Sequence, residues 1–263
     1  MSINERKGVT MIHSFLIIGQ SNMAGRGVPP ADEPLMTNRG KIKVLRNGRW
    51  QTMFRPINPD RHVSGTCLAE SFAASYSDDH PDVEVGIIPC ADGGTSLDQW
   101  QEGSLLFDHA VYMTKLALRT SHLVGILWHQ GESDCPEHLH PFYLKKITAI
   151  MHALRRELQA ENVPIIVGGL GDFLKNRPEN PSLANYPYVN EALIAFANQT
   201  HRAAFASAEG LGSNPDHLHF CHDALMKFGL RYYAAFRTVE DRDRIFDEKN
   251  KMDDAVRSPM ELL

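Results

Sequence analysis

The sequence predicts a doubly wound α/β fold, with a parallel sheet and helices on both faces. Short apolar runs alternate with longer helical patterns along most of the 263 residues. The runs are continuously apolar rather than alternating, as strands buried on both faces are. No internal repeat or low-complexity linker breaks the alternation. At roughly 100–200 residues per domain the length allows one large domain or two small ones. The unbroken pattern favours one domain over residues 1–263.

The first strand is expected at 14–18. The apolar run that contains it, 11–18, is too short to span a bilayer. It also lacks a signal-peptide cleavage site and leads straight into a glycine-containing motif. Segment 29–65 departs from the pattern. Its Asn47-Gly48 pair marks a hairpin, and the segment reads as an insertion over the carboxyl edge of the sheet, where open α/β sheets bind ligands. The remaining strands are expected at 84–89, 124–129, 164–169 and 203–208. A helix is expected over 104–121. Another over 141–161 carries Leu144, Ile147, Met151, Leu154 and Leu158 on one face. Pro141 suits its first turn, and Asn162 and Pro164 end it. Further helices are expected over 187–199 and 222–238. The charged tail, 240–263, reads as a solvated helix or frayed end.

Composition narrows the partners. The chain has 27 Lys+Arg against 32 Asp+Glu, a net charge of −5, which gives no electrostatic ground for a nucleic-acid partner. The 43% apolar and 22% charged fractions are those of a globular protein, which excludes collagen, disorder and disulfide scaffolds. No segment is long and apolar enough to suggest a membrane. Cys67, Cys90, Cys135 and Cys221 are widely spaced, form no CxxC pair and read as reduced thiols, which points to the cytoplasm.

Four motifs fall where strands end. The first is Gly19-Gln20-Ser21-Asn22-Met23-Ala24-Gly25, which sets a serine at the carboxyl edge among small residues. An ordinary turn with a capping serine would look the same. The second strand leads into Gly93-Gly94-Thr95, with Trp100 following as either a pocket wall or a core residue. The third ends in Trp128-His129-Gln130-Gly131-Glu132-Ser133-Asp134, where the Gln130 amide could donate to a developing oxyanion. Last comes Asp216-His217-Leu218-His219. An Asp three residues before a His can fold back to the imidazole and fix its tautomer, leaving the other ring nitrogen for a serine proton. There are thirteen histidines. His217, His219 and His222, beside Cys221, also admit a zinc-dependent hydrolase. A carbohydrate-binding protein without catalysis is a further alternative.

Taken together, GQSNMAG, GGTSLDQW, WHQGESD and DHLH resemble the SGNH hydrolases, and within them the carbohydrate esterase family 6 and sialate O-acetylesterase-like branch. The resemblance runs from about residue 14 to 222. It implies a flavodoxin-like three-layer α/β/α sandwich with a five-stranded parallel sheet. It also implies serine esterase chemistry on acetylated carbohydrates, with no cofactor and no metal. By resemblance Ser21 is the nucleophile and His219 the general base. Asp216, Glu132 or both orient His219, with Asp216 favoured by spacing. The N–H groups of Ser21, the Gly65 region and Gln130 are the expected oxyanion donors. Gln20, Gly94, Thr95 and Trp100 are the expected substrate contacts. The expected partner is a small acetylated carbohydrate.

Overall fold

The computed structural model describes residues 11–36, 38 and 40–257. Its strands are β1 (Ile12–Gly19), β2 (Ile42–Arg46), β3 (Arg49–Thr52), β4 (Glu84–Pro89), β5 (Ser121–His129), β6 (Ile165–Gly168) and β7 (Ala203–Ala206). They form one sheet in the order β3-β2-β4-β1-β5-β6-β7. Every neighbouring pair is parallel except the β2–β3 hairpin.

All five expected strands are present, but the sheet has seven. The additional pair comes from the segment read as an insertion. Asn47 and Gly48 turn the chain with φ of 49° and 73°, as an Asn-Gly hairpin requires. Ile42, Val44 and Leu45 of β2 are buried, and β2 pairs in parallel with β4 from Ile42 opposite Val85. Burial of that apolar face therefore draws residues 42–52 of the segment into the sheet. Its later part crosses the carboxyl edge, where Asp60 accepts the Gly93 N–H.

The helices are α1 (Ser21–Ala24), α2 (Ala69–Asp79), α3 (Leu105–Ala117), α4 (Tyr143–Leu158), α5 (Tyr186–Gln199) and α6 (His222–Arg257). α2 was not expected from the sequence. Its buried residues include Glu70, Ser71 and Ser77 beside Phe72 and Tyr76, so it lacks the apolar stripe that marks a surface helix. α4 stops earlier than Asn162 because Gln159 adopts a left-handed conformation at φ 52° and its N–H caps the carbonyls of Arg155 and Arg156. α6 continues past residue 238 into the charged tail. Residues 258–263 of that tail lie outside the described residues.

Two cores flank the sheet. On one face Phe15 of β1 makes edge-to-face contacts with Phe72 and Tyr76 of α2 and Phe236 of α6. Trp128 of β5 points to the other face, toward Trp100 at 5.5 Å between ring centroids and toward Tyr143 of α4. No helix among the described residues is long and apolar enough to cross a membrane.

The topology fixes where a ligand can sit. After β1 the chain builds β2 to β4 on one side, then crosses to place β5 to β7 on the other. The strand order reverses at β1, and the crevice at its carboxyl end is the place where open α/β sheets bind ligands.

Candidate active site

β1 ends in Gly19, whose φ is 130°. A Cβ there would lie 2.1 Å from the His129 carbonyl oxygen, so the turn needs glycine. The Gln20 N–H donates to that same carbonyl at 2.9 Å. This pins the end of β1 to β5 and makes Ser21 the first residue of α1. Ser21 is 7% exposed.

The loop between β7 and α6 brings the last motif over Ser21. Asp216 Oδ1 accepts the N–H groups of Leu218 and His219, both at 3.0 Å. Its Oδ2 lies 2.6 Å from His219 Nδ1. His219 Nε2 in turn lies 3.0 Å from Ser21 Oγ. Burial tends to raise the Asp216 pKa, but the two backbone N–H groups and the His219 ring hold it below the ordinary carboxylate value. Asp216 is thus an ionised acceptor for His219 Nδ1, an arrangement in which Nε2, beside Ser21 Oγ, can accept a proton.

Glu132 does not touch His219. It is fully buried behind Ser21, where Oε1 accepts the Asn22 side-chain N–H and lies 3.6 Å from His129 Nε2. Desolvation tends to raise its pKa, yet His129 and Asn22 hold it lowered. The same Asn22 amide donates to the Leu218 carbonyl at 3.1 Å, and its Oδ1 accepts the Phe220 N–H at 3.0 Å. Of the two carboxylates expected to orient His219, only Asp216 reaches it.

Several expected contacts take other positions. Both N–H groups of the Gln130 amide are committed, to the Thr95 carbonyl at 2.9 Å and to Asp134 Oδ2 at 2.5 Å. Gln130 is therefore a buried support between Thr95 and Asp134. The Gly65 N–H donates to the Gly25 carbonyl at 3.1 Å, and a Cβ on Gly65 would come 2.1 Å from the Gly27 oxygen. Gly65 thus permits two backbones to pair and has no N–H to offer a substrate. Trp100, 1% exposed, is core. It donates Nε1–H to Thr95 Oγ1, and the buried Thr95 hydroxyl donates to the Asp92 carbonyl. Neither faces solvent. The Gln20 side-chain oxygen accepts the N–H groups of Gly131 and Ser133 at 3.3 and 3.4 Å, bracing the turn after β5. Gly94 alone of the expected substrate contacts is exposed, at φ 79° with open space where a Cβ would stand.

The histidine cluster does not converge. His219 faces Asp216 and Ser21, whereas His222 faces Glu33 at 2.8 Å and Thr66 Oγ1 at 3.0 Å. No group of three or more His, Cys, Asp or Glu that could hold a metal ion occurs among the described residues.

Sequence reasoning missed a second support. Arg26 and Asp60, both with buried side chains, form a bidentate pair at 2.9 and 2.7 Å. Asp60 also accepts the Gly93 N–H at 2.9 Å and the Ser64 hydroxyl at 2.7 Å. A Cβ on Gly93 would stand 3.4 Å from Ser21 Cβ, so this pair fixes the glycine turn against the serine. Arg26 directly follows the first motif, but nothing in the sequence ties it to a residue 34 positions later.

The model of the family described as carbohydrate esterase, sialic acid-specific acetylesterase matches residues 11–238. A probable carbohydrate esterase of Arabidopsis thaliana is 26% identical over 251 residues, covering 84% of this chain and 89% of the relative. The X-ray structure of an Arabidopsis thaliana protein superposes with a TM-score of 0.77 at 25% identity, over 87% of this chain and 98% of the other. A carbohydrate acetylesterase from Xanthomonas citri shares the fold with a TM-score of 0.63 at 18% identity, over 86% of this chain and 56% of the other.

Proposed function

Because the chain belongs to the carbohydrate esterase, sialic acid-specific acetylesterase family, and is thereby a carboxylic ester hydrolase, we propose that it removes O-acetyl groups from small carbohydrates through an acetyl-enzyme on Ser21. The observation that carries this reading is the continuous line from Asp216 through His219 to Ser21 Oγ, with contacts of 2.6 and 3.0 Å.

His219 takes the Ser21 proton as Oγ attacks the acetyl carbonyl. The oxyanion meets the Ser21 N–H, which as the first in a helical turn has no intrahelical acceptor. The Gly94 N–H is the second donor in this reading, in place of Gly65 and Gln130, since the Gly93–Gly94 turn is clamped beside Ser21. Collapse of the tetrahedral intermediate transfers the His219 proton to the departing sugar oxygen. Water, deprotonated by the same imidazole, then releases acetate and restores Ser21. A sugar hydroxyl leaves far more readily than an amine, which favours esters over amides. Acetylated xylooligosaccharides and O-acetyl sialic acids are the substrates to try first. Free thiols at Cys67, Cys90, Cys135 and Cys221 accord with a cytoplasmic enzyme.

Acetate release over a panel of acetylated sugars tests the activity, and labelling by a serine-directed phosphonate tests the nucleophile. Ser21→Ala is expected to abolish both. Labelling that survives in Ser21→Ala would overturn the assignment of Ser21, and absence of acetate release from every sugar would overturn the substrate class.

A further inference from the structure

Asn22, next to the nucleophile, makes three side-chain hydrogen bonds, and two of them go to the residues on either side of His219. Its Nδ2 donates to the Leu218 carbonyl and its Oδ1 accepts the Phe220 N–H. The third partner is Glu132, which accepts from Nδ2 on the buried side. We propose that Asn22 and Glu132 form a positioning clasp, which holds the His219 loop at a fixed distance from Ser21. The inference rests on the proposed serine esterase reading and adds to it two residues that touch neither substrate nor reacting atoms.

An asparagine amide is nearly symmetric in shape but not in chemistry. Turned over, it would set Oδ1 against a carboxylate and a carbonyl, and Nδ2 against an N–H. An ionised carboxylate only accepts hydrogen bonds, so Glu132 selects the orientation in which Oδ1 is left for Phe220. The buried carboxylate thereby acts on His219 at second hand. The contact between Asp216 and His219 cannot do the same work. Those residues lie three apart on one loop and move together, so their bond fixes the ring within the loop and not the loop against Ser21. Among the described residues, Asn22 is the side chain that bonds to both neighbours of His219. Its place beside Ser21 means that any shift of the loop is registered at the reacting pair.

The test uses the full chain and hydrolysis of 4-nitrophenyl acetate, with wild type and Ser21→Ala measured alongside. Asn22→Ala is expected to lower kcat by about 100-fold, the order of cost of a misplacement of about 1 Å. KM should stay within about twofold, because the lost interaction matters only at the transition state. Glu132→Gln, which keeps the shape but can present either end of an amide to Asn22, should lower kcat by about tenfold. The double variant should be no slower than Asn22→Ala, since the two residues act as one unit. Unchanged kcat in Asn22→Ala, a rise in KM with kcat intact, or additive losses in the double variant would overturn the clasp. Should Asn22→Ala fail to fold by circular dichroism, unchanged kcat in the isosteric Glu132→Gln alone would do so. Wild type with no hydrolysis beyond that of Ser21→Ala would instead reject the esterase reading on which the clasp rests.

Discussion

Asp216 sits where its charge is used twice. One oxygen is held by the N–H groups of Leu218 and His219, and the other faces the imidazole. Replacing it by asparagine sets an N–H₂ group within reach of Nδ1 and favours the tautomer with its proton on Nε2, which cannot accept from Ser21. Asp216→Asn is therefore expected to lower kcat by about 10⁴-fold, the loss seen when a triad acid is neutralised. Steady-state hydrolysis of an activated acetate ester measures it. Near-wild-type turnover would show that another group orients His219. The loss should exceed that of Glu132→Gln, because Glu132 meets Asn22 and His129 and not His219.

At the scale of elements, the site depends on how closely backbones can approach. Gly65 and Gly27 pass each other next to the bridge between Gly27 and Thr66, and a methyl group on Gly65 would meet the Gly27 oxygen at 2.1 Å. Gly65→Ala is expected to destabilise the chain by about 1–3 kcal/mol, the usual cost of overpacking. Urea unfolding measures this as a fall in midpoint at constant m-value. A midpoint equal to that of wild type would show that the two backbones do not need glycine at this position. The α2–α6 contact uses the same device. A Cβ on Gly229 would fall 2.2 Å from the Leu68 carbonyl, while Ser71 donates to the Met226 carbonyl at 2.7 Å.

Across the whole molecule, the Arg26–Asp60 pair joins three stretches that are distant in sequence: the segment after α1, the crossing segment and the glycine turn after β4. Burial tends to raise the Asp60 pKa, but its bonds to Arg26, Ser64 and Gly93 hold it lowered. Such a carboxylate contributes stability above its unfolded value, near about pH 4, and that contribution is lost as the pH falls. Glu132 and Asp216 are lowered as well and act in the same sense. Asp134 and Glu240 are raised, chiefly by burial, and act in the opposite sense, losing their contribution as the pH rises. Asp60→Asn is expected to lower the Tm at neutral pH, because breaking a buried pair costs about 3–5 kcal/mol. It should also flatten the decline of Tm below about pH 4, since the titrating group is gone. Thermal melts across that range check both. An acid decline as steep as that of wild type would show that Asp60 does not carry it.

The strand–helix alternation was legible in the sequence, because apolar runs of strand length between helical patterns leave few other ways to bury them. The sequence also favoured Asp216 over Glu132 as the partner of His219, because that contact is local and a spacing of three residues brings the groups together. The Asn47-Gly48 turn was legible for the same reason, though not that its hairpin would join the sheet. That depended on the edge of β4 and on burial of Ile42, Val44 and Leu45. α2 escaped notice because a helix buried nearly all round shows no stripe. The surroundings of Glu132, Gln130, Gly65, Thr95 and Trp100 emerge from packing alone. Glu132 meets Asn22 and Gly65 meets Gly25, partners far away in sequence. A polar group at a strand end can face substrate or serve a neighbour, and only the position of that neighbour in space distinguishes the two.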